Sequence, residues 1–322
     1  MLIDVTVGID IGGTNTVLGL VDRQGTCLTE SSVPTLAQED ARSLVTRLAA
    51  KIREMHAPLS DQAVILGIGI GAPNANYYRG TVEDPPNLSW KGVTPLAAFF
   101  KDHFDIPVVV TNDANAAALG EMRFGAAQSM RDFIVITLGT GLGSGVVANG
   151  ELIYGADGFA GEIGHTIVDP QGRWCGCGKR GCLETYASAT GICRTVFELL
   201  CIMREESDLR GVSFRQLTGK MVTEAAQRGD AIALAAFDYT GRILGMKLAD
   251  SVAHTSPEAI ILFGGLANAG DLIFAPTKRS MEEHVLGIFK GKVKLLPSSL
   301  PEGNTAVLGA AALIWTELLK SR

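Results

Sequence analysis

From Val5 the chain alternates apolar with small or polar positions through VTVGIDIG and then enters a pair of glycines. That alternation is the mark of a strand with one buried face. VLGLVD follows after GTNT and reads as a second strand, so the two are expected to form a hairpin around a glycine turn. FIVITLG and GSGVVANG repeat the arrangement near Phe133, which suggests two related halves. Between these hairpins the period changes. Leu44, Leu48, Ile52 and Met55 fall on one face of a helix.

AVILGIGIGAP reads as a buried strand running into a loop over residues 71–90, whose asparagines, aspartates and prolines predict a long, structureless and functional segment. Residues 95–101 suggest a short helix, IPVVV a strand, and TNDANAAALGEMR the start of a helix that Thr111 or Asn112 caps. Residues 186–256 read as mostly helical, with a break around residues 228–230. AIILFGG is a strand ending in glycines, and NTAVLGAAALIWTELL is a closing apolar helix. Strands alternating with helices give an α/β class.

The chain has 322 residues, above the size at which a single core usually divides, and 47% of them are apolar, enough for substantial cores. The net charge is -6 with no long basic stripe, which argues against nucleic acid as a partner. The N-terminus resembles a first strand and not a signal peptide, and no stretch predicts a membrane span, so the expected location is the cytoplasm. Cys27, Cys193 and Cys201 stand apart from the other cysteines and are expected to be ordinary reduced thiols.

Three glycine turns follow strands. In DIGGTNT, Gly12 and Gly13 free the backbone amides to face anionic oxygens, Thr14 adds a hydroxyl, and Asp10 can hold a magnesium ion or its water shell. LGTGLGSG repeats the device, and a third turn begins at Gly264. None is a P-loop, and none has the nicotinamide fingerprint at the right place before a helix. Together they point to nucleotide phosphates held between two lobes.

DIGGTNT, TNDANAAALGE, LGTGLGSG, EIGH and CGCGKRGCLET stand in the order seen in the ROK family of sugar kinases and sugar-responsive repressors. The resemblance covers nearly the whole chain. It implies a two-lobed actin-like ATPase fold (ribonuclease H-like), with a mixed β-sheet and flanking helices in each lobe. Residues 1–112 with 303–322 would form the smaller lobe, and residues 113–302 the larger. Asp10, Gly12, Gly13 and Thr14 resemble the first phosphate motif. Gly139, Thr140, Gly141 and Gly143 resemble the second, and Gly264 and Gly265 the adenosine-side turn. ATP with Mg2+ is the implied cofactor pair.

The same resemblance assigns Asp113 as the base that takes a proton from a sugar hydroxyl. A carboxylate at a helix N-terminus normally has a lowered pKa, so Asp113 is expected to be a weak base but a good orienter. Asn87, Asn112, Glu162, His165 and Glu184 are the implied sugar contacts. Asn74 stands where the family often has glycine, and Asn15 where lysine is common, which bears on substrate identity.

His165, Cys175, Cys177 and Cys182 have the spacing H-x9-C-x-C-x4-C. Three thiolates and one imidazole suit tetrahedral zinc, and a filled shell makes the ion structural. Gly176, Gly178 and Gly181 would let the chain bend around it. A C-x-C redox pair leaves His165 and Cys182 unexplained, and a nucleic-acid zinc finger needs a basic helix that is not present.

The resulting expectation is ATP-dependent phosphorylation of a hexose at its 6-hydroxyl, with glucose as acceptor. The alternatives are an N-acetylmannosamine or N-acetylglucosamine kinase, a fructose or allose kinase, and a sugar-sensing relative without activity. A repressor would carry a DNA-binding unit ahead of the first glycine motif, and only nine residues precede Asp10. The family resemblance implies a homodimer, with a tetramer as the alternative, and hexose and ATP as the small-molecule partners.

Overall fold

The computed structural model describes residues 2–301 and 305–320. The chain divides into two compact units, residues 1–130 with 151–160 and 299–322, and residues 131–150 with 161–298. The division differs from the expected one, since residues 113–130 and 151–160 belong to the first unit. The expected start of the returning segment at residue 303 lies outside the described residues. Among the described residues no helix is long and apolar enough to cross a membrane.

In the first unit, β1 (Ile3–Ile11), β2 (Asn15–Asp22) and β3 (Cys27–Pro34) form an antiparallel meander. They are followed by α1 (Ala41–His56) and β4 (Ala63–Gly71). Next come three short strands, β5 (Ala75–Asn76), β6 (Thr81–Glu83) and β7 (Val93–Thr94), then α2 (Leu96–Lys101), β8 (Val108–Thr111) and α3 (Asp113–Phe124). The main sheet has the order β3-β2-β1-β4-β8, with β4 parallel to both β1 and β8.

Leu44, Leu48, Ile52 and Met55 are all buried on the sheet, as their spacing predicted. Each such burial contributes roughly 1.5–3 kcal/mol. Asp40 caps α1 by accepting from the Ser43 amide at 3.0 Å.

The opposite face of this sheet receives the last helix at close range. A Cβ on Gly8 or Gly69 would collide with the backbone carbonyls of Val307 and Ala310. A Cβ on Gly309 would lie 2.7 Å from the Ala116 carbonyl oxygen. These glycine contacts are why α3 joins the first unit: its alanine-rich face and Gly120 lie directly against the closing helix.

Residues 71–90 are less structureless than expected. β5, β6 and β7 form a small antiparallel sheet. Asn74 adopts a left-handed φ of 52°, and its amide donates to the carbonyls of Glu83 and Asp84, both at 3.1 Å. It fills a conformation that glycine adopts most easily, and its side chain braces the turn. Asn76 is fully buried and donates to the Asp157 carbonyl at 2.7 Å, so it too is structural.

In the second unit, β9 (Phe133–Leu138) and β10 (Leu142–Ala148) are the repeated hairpin. The strand β11 (Glu151–Leu152) belongs to the first unit. The second unit continues with α4 (Ala189–Ile202), α5 (Gly219–Gln227), α6 (Ala231–Thr255), β12 (Ala259–Phe263), α7 (Asp271–His284) and β13 (Lys294–Pro297). β12 runs parallel to β9 and β13. The helices bury one face of this sheet.

The break expected around residues 228–230 separates α5 from α6, where Asp230 accepts from the Ala233 amide at 2.9 Å. The chain closes with α8 (Thr305–Lys320), packed in the first unit.

Candidate active site

The first unit places its chemistry at the carboxyl end of parallel strands, the usual ligand edge of an α/β sheet. Asp10 is paired in register with Gly71, and Gly71 with Thr111. Asp10 shares the sheet face of Gly8, two residues earlier, which is the face covered by α8 and α3. Asp113 begins α3 on that side. A Cβ on Gly71 would lie 3.5 Å from Asp10 Oδ1 and 3.7 Å from Asp113 Cα, so this glycine stands between the two acids.

The helix start is well defined. Asn112 Oδ1 accepts from the amides of Ala114 at 2.8 Å and Asn115 at 3.0 Å, and Asp113 Oδ1 also accepts from Ala114 at 2.8 Å. Asn112 is therefore the cap, and its carbonyl oxygen is already engaged.

The lowered pKa expected for Asp113 is not found. Burial pushes its carboxyl above the usual carboxylate range and outweighs the opposing pull of the Ala114 amide. Its side chain stays reachable by solvent. A raised carboxyl that a ligand can reach is better suited to take a proton than one held at the ordinary value. Burial, and then repulsion from Asp113, raise Asp10 to about 7. An acid raised by a neighbouring acid makes a place for a cation or a proton.

The first glycine turn is stapled from β3. The Gly12 amide donates to the Asn15 carbonyl at 3.1 Å, and the Thr35 amide donates to the Thr14 carbonyl at 2.8 Å. Thr35 Oγ1 donates to the Gly12 carbonyl at 2.7 Å and lies 2.9 Å from Thr16 Oγ1. Sequence reasoning missed Thr35, whose signal was only a threonine closing a strand. A Cβ on Gly13 would lie 3.0 Å from Asn87 Cβ. Leu88 and Trp90 are buried, and Trp90 Nε1 donates to the Glu39 carbonyl at 3.1 Å. That anchorage holds the exposed Asn87 beside the first turn.

In the second unit, the turn at Gly139, Thr140 and Gly141 lies between paired Leu138 and Leu142. Its Gly139 amide donates to the Gly141 carbonyl, and Gly143 donates to Thr137 Oγ1, both at 3.1 Å. Gly264 has a φ of 100° and lies against the Leu138 backbone, while Gly265 faces open space. Beside Gly265 is a cavity of about 450 Å³ whose lining includes Ala189, Gly219, Glu224, Gln227 and Asn268. An apolar floor with amides and a carboxylate on its walls suits a heterocyclic base. The α5 residues were missed because a polar helix start carries no motif.

The donor atoms of His165, Cys175, Cys177 and Cys182 all lie within 4.8 Å of one another. Cys175 Sγ is 3.6 Å from His165 Nδ1, and Cys177 Sγ is 3.6 Å from Cys182 Sγ. A tetrahedron with zinc–sulfur bonds of about 2.3 Å has edges near ~3.8 Å, so these donors fit zinc. Gly178 and Gly181 have positive φ, whereas Gly176 does not.

Imidazole Nδ1 faces the cluster and leaves Nε2 toward Glu162, whose carboxylate is 4.0 Å away. Ser144 of β10 accepts from the Ile163 amide at 3.1 Å and donates to the Gly161 carbonyl, which fixes the turn carrying Glu162. Glu184 follows the last cysteine, and its Oε2 accepts from the Leu142 amide at 3.1 Å.

The structure thus gathers Asp10, Gly12, Gly13, Thr14, Asn87, Asn112 and Asp113 on the first unit. It gathers Gly139, Thr140, Gly141, Gly143, Glu162, His165, Glu184, Gly264, Gly265 and the cysteines on the second.

Known proteins are similar to this chain along most of its length. A glucokinase from Halalkalibacterium halodurans is 38% identical over 87% of this chain and 86% of its own. The crystal structure of a ROK family glucokinase from Streptomyces griseus, in complex with glucose and AMPPNP, covers 96% of this chain and 98% of its own. Its TM-score is 0.80 at 36% identity. A ROK family transcriptional regulator, a homologue of the E. coli MLC protein, has a TM-score of 0.87 at 28% identity. It matches 98% of this chain but 78% of its own. The model of the ROK family matches residues 6–317. With both glycine hairpins, the Asp113 helix start and the His–Cys cluster inside that span, the chain belongs to the ROK family.

Proposed function

We propose that the chain is an ATP-dependent glucokinase, which transfers the γ-phosphoryl group of ATP to the 6-hydroxyl of glucose. The observation that carries this reading is Asp113, a reachable carboxylate with a raised pKa at the carboxyl edge of a parallel sheet, beside Asp10. The glucokinase relatives supply the substrate.

In this reading Asp113 accepts the 6-hydroxyl proton as the oxygen attacks, and general-base help of that kind contributes about 10²–10⁴-fold. Asn87, Asn112, Glu162, His165 and Glu184 orient the hexose. Asn112 has only its NH2 to offer, because its oxygen caps α3. The amides around Gly12, Gly13 and Thr14, and around Gly139, Thr140, Gly141 and Gly143, receive phosphate oxygens, while Gly264 and Gly265 border the adenosine. Asp10 would hold Mg2+, which neutralises charge on the phosphates when bound. His165, Cys175, Cys177 and Cys182 would hold a structural Zn2+ that fixes the loop bearing the sugar contacts. A homodimer in the cytoplasm completes the proposal.

The test is ADP release from Mg-ATP by zinc-loaded protein across glucose, mannose, fructose, allose, N-acetylglucosamine and N-acetylmannosamine, with Asp113→Asn in parallel. Glucose-dependent turnover that disappears in the variant is the expected outcome. Preference for an acetylated hexosamine would keep the mechanism and move the substrate. Sugar binding without turnover would overturn the kinase reading in favour of a sensor, which the regulator of like fold makes the second reading.

A further inference from the structure

The segment after the last cysteine touches the second glycine turn at both of its ends. Glu184 Oε2 accepts from the Leu142 amide at 3.1 Å, where the turn re-enters β10. The Ala189 amide donates at 2.9 Å to the carbonyl of Gly139, where the turn leaves β9. Gly141 lies under the Glu184 carboxylate so closely that a Cβ there would collide with Oε2. The other carboxylate oxygen, Oε1, is 3.6 Å from Cys175 Sγ. One side chain therefore spans from the cysteine cluster to the turn.

The two contacts are not equally secure. Ala189 starts α4 behind a buried stretch of Leu183, Thr185, Tyr186, Ala187 and Ser188. Its bond to Gly139 is held by the core. Glu184 is only half buried and stands two residues from Cys182. Its backbone is set by a turn in which both the amide and the hydroxyl of Thr185 donate to the Cys182 carbonyl, at 2.9 and 2.7 Å.

Residues 176–180 are exposed, and Ile167 and Trp174 of the same loop are left exposed as well. Loops of this kind take their order from the metal.

We infer that Glu184 is a positioning residue through which metal occupancy of the His165–Cys175–Cys177–Cys182 cluster sets the shape of the Gly139–Thr140–Gly141 turn. The cluster then serves the nucleotide side of the reaction as well as the sugar side. This inference rests on the reading of that turn as a phosphate-binding element.

The test measures binding of AMPPNP without sugar, by calorimetry, to zinc-loaded and chelator-stripped protein. Hydrogen exchange of residues 139–143 is followed in the same samples, with β9 as internal reference. Stripping is expected to weaken AMPPNP by about tenfold, the lower end of the effect of outer-shell partners on a metal site. It should also speed exchange at 139–143 and leave β9 protected.

Zinc-loaded Glu184→Ala should show the same weakening and lose little more on stripping. Zinc-loaded Glu184→Gln, which keeps a carbonyl oxygen for Leu142, should bind AMPPNP nearly as the wild type does. Unchanged affinity and exchange on stripping, or a Glu184→Ala protein that keeps the full response to zinc, overturns the inference. If stripping also exposes β9, the protein has unfolded, and the zinc-loaded Ala and Gln variants decide: equal affinities overturn it. If zinc-loaded wild type binds no AMPPNP, the nucleotide reading fails, and the exchange of 139–143 in the loaded variants still decides whether Glu184 holds the turn.

Discussion

The two hairpins share a plan and differ in what stands at their ends. Each pairs an antiparallel partner on one side of its leading strand and a parallel strand on the other. Aligning the last pairs, Ile11 with Thr16 and Leu138 with Leu142, places Asp10 of the first unit where the second has Thr137. Thr137 uses its hydroxyl locally, on the Gly143 amide. Asp10 has a second acid near it and is driven to about 7.

The turns also differ in their support. The first is stapled by the neutral Thr35 from the neighbouring strand, and the second by the charged Glu184 from the cysteine segment. The first hairpin thus carries an acid where the second carries a threonine hydroxyl.

The sharpest break in the comparison is expected at Asp113, which has no counterpart on the second unit. Asp113→Asn should lower kcat by about 10²–10⁴-fold with glucose binding retained, read by steady-state kinetics and calorimetry.

Arg173 tests the base of the cysteine loop. Its guanidinium donates to the carbonyls of Thr185 and Gly191, to Thr195 and to Glu198, and lies 4.5 Å from the centre of the Tyr186 ring. Arg173→Ala should cost about 2–4 kcal/mol in urea unfolding, because the Thr185 carbonyl loses its donor, Gly191 keeps only that of Thr195, and the Glu198 ion pair is broken. It should also speed zinc loss to a chelator.

The acidic edge should betray itself in stability. Because the folded protein holds Asp10 near 7 and the unfolded chain near its ordinary value, ionising Asp10 opposes folding. That cost is absent at the ordinary aspartate pKa, grows between there and pH 7, and is complete above. Asp10→Asn should therefore be more stable than wild type above pH 7, by roughly 1–4 kcal/mol without nucleotide, with the gain vanishing near pH 4. Melting curves across pH check this, and magnesium-dependent turnover should be lost. The base role of Asp113 carries the same signature into kinetics: kcat/KM should fall with acid over a range displaced upward from that of an ordinary carboxylate.

The smallest effect is expected at the first turn. Thr35→Val leaves the Gly12 carbonyl and Thr16 hydroxyl without their partner, which costs about 1–2 kcal/mol. KM for ATP should rise while zinc content stays unchanged. The opposite dependence on zinc at Glu184 would complete the contrast between the two turns.

Much of this was legible without coordinates because it was local. Hairpins, glycine turns, the Asn112 cap and the helix break near residue 229 are set by neighbours within a few residues, and period and turn chemistry report such neighbours directly. The cysteine spacing was legible for the same reason. The resemblance to the ROK family added the roles of Asp113, Glu162, His165 and Glu184.

What escaped were contacts made at long range. Thr35 reaches back to Gly12, Ser144 reaches forward to the Glu162 turn, and residues of α5 border a cavity beside Gly265. Asn74, which bore on substrate identity in the sequence, braces its own loop, and Asn76 ties that loop to the distant Asp157 carbonyl.

The sequence by itself determined the elements, the two related halves and the identity of the chemical groups, because periodicity, capping and ligand spacing act over short stretches. Only the tertiary structure decided the acidity of Asp113. The helix start favours a low pKa and desolvation by the surrounding protein favours a high one, and which wins depends on what the fold places near the carboxyl. The domain boundary was decided the same way, by the close approach of Gly309 to α3, a contact between segments that lie far apart in the chain. Desolvation and close packing are properties of what surrounds a residue in space, and no local pattern encodes them.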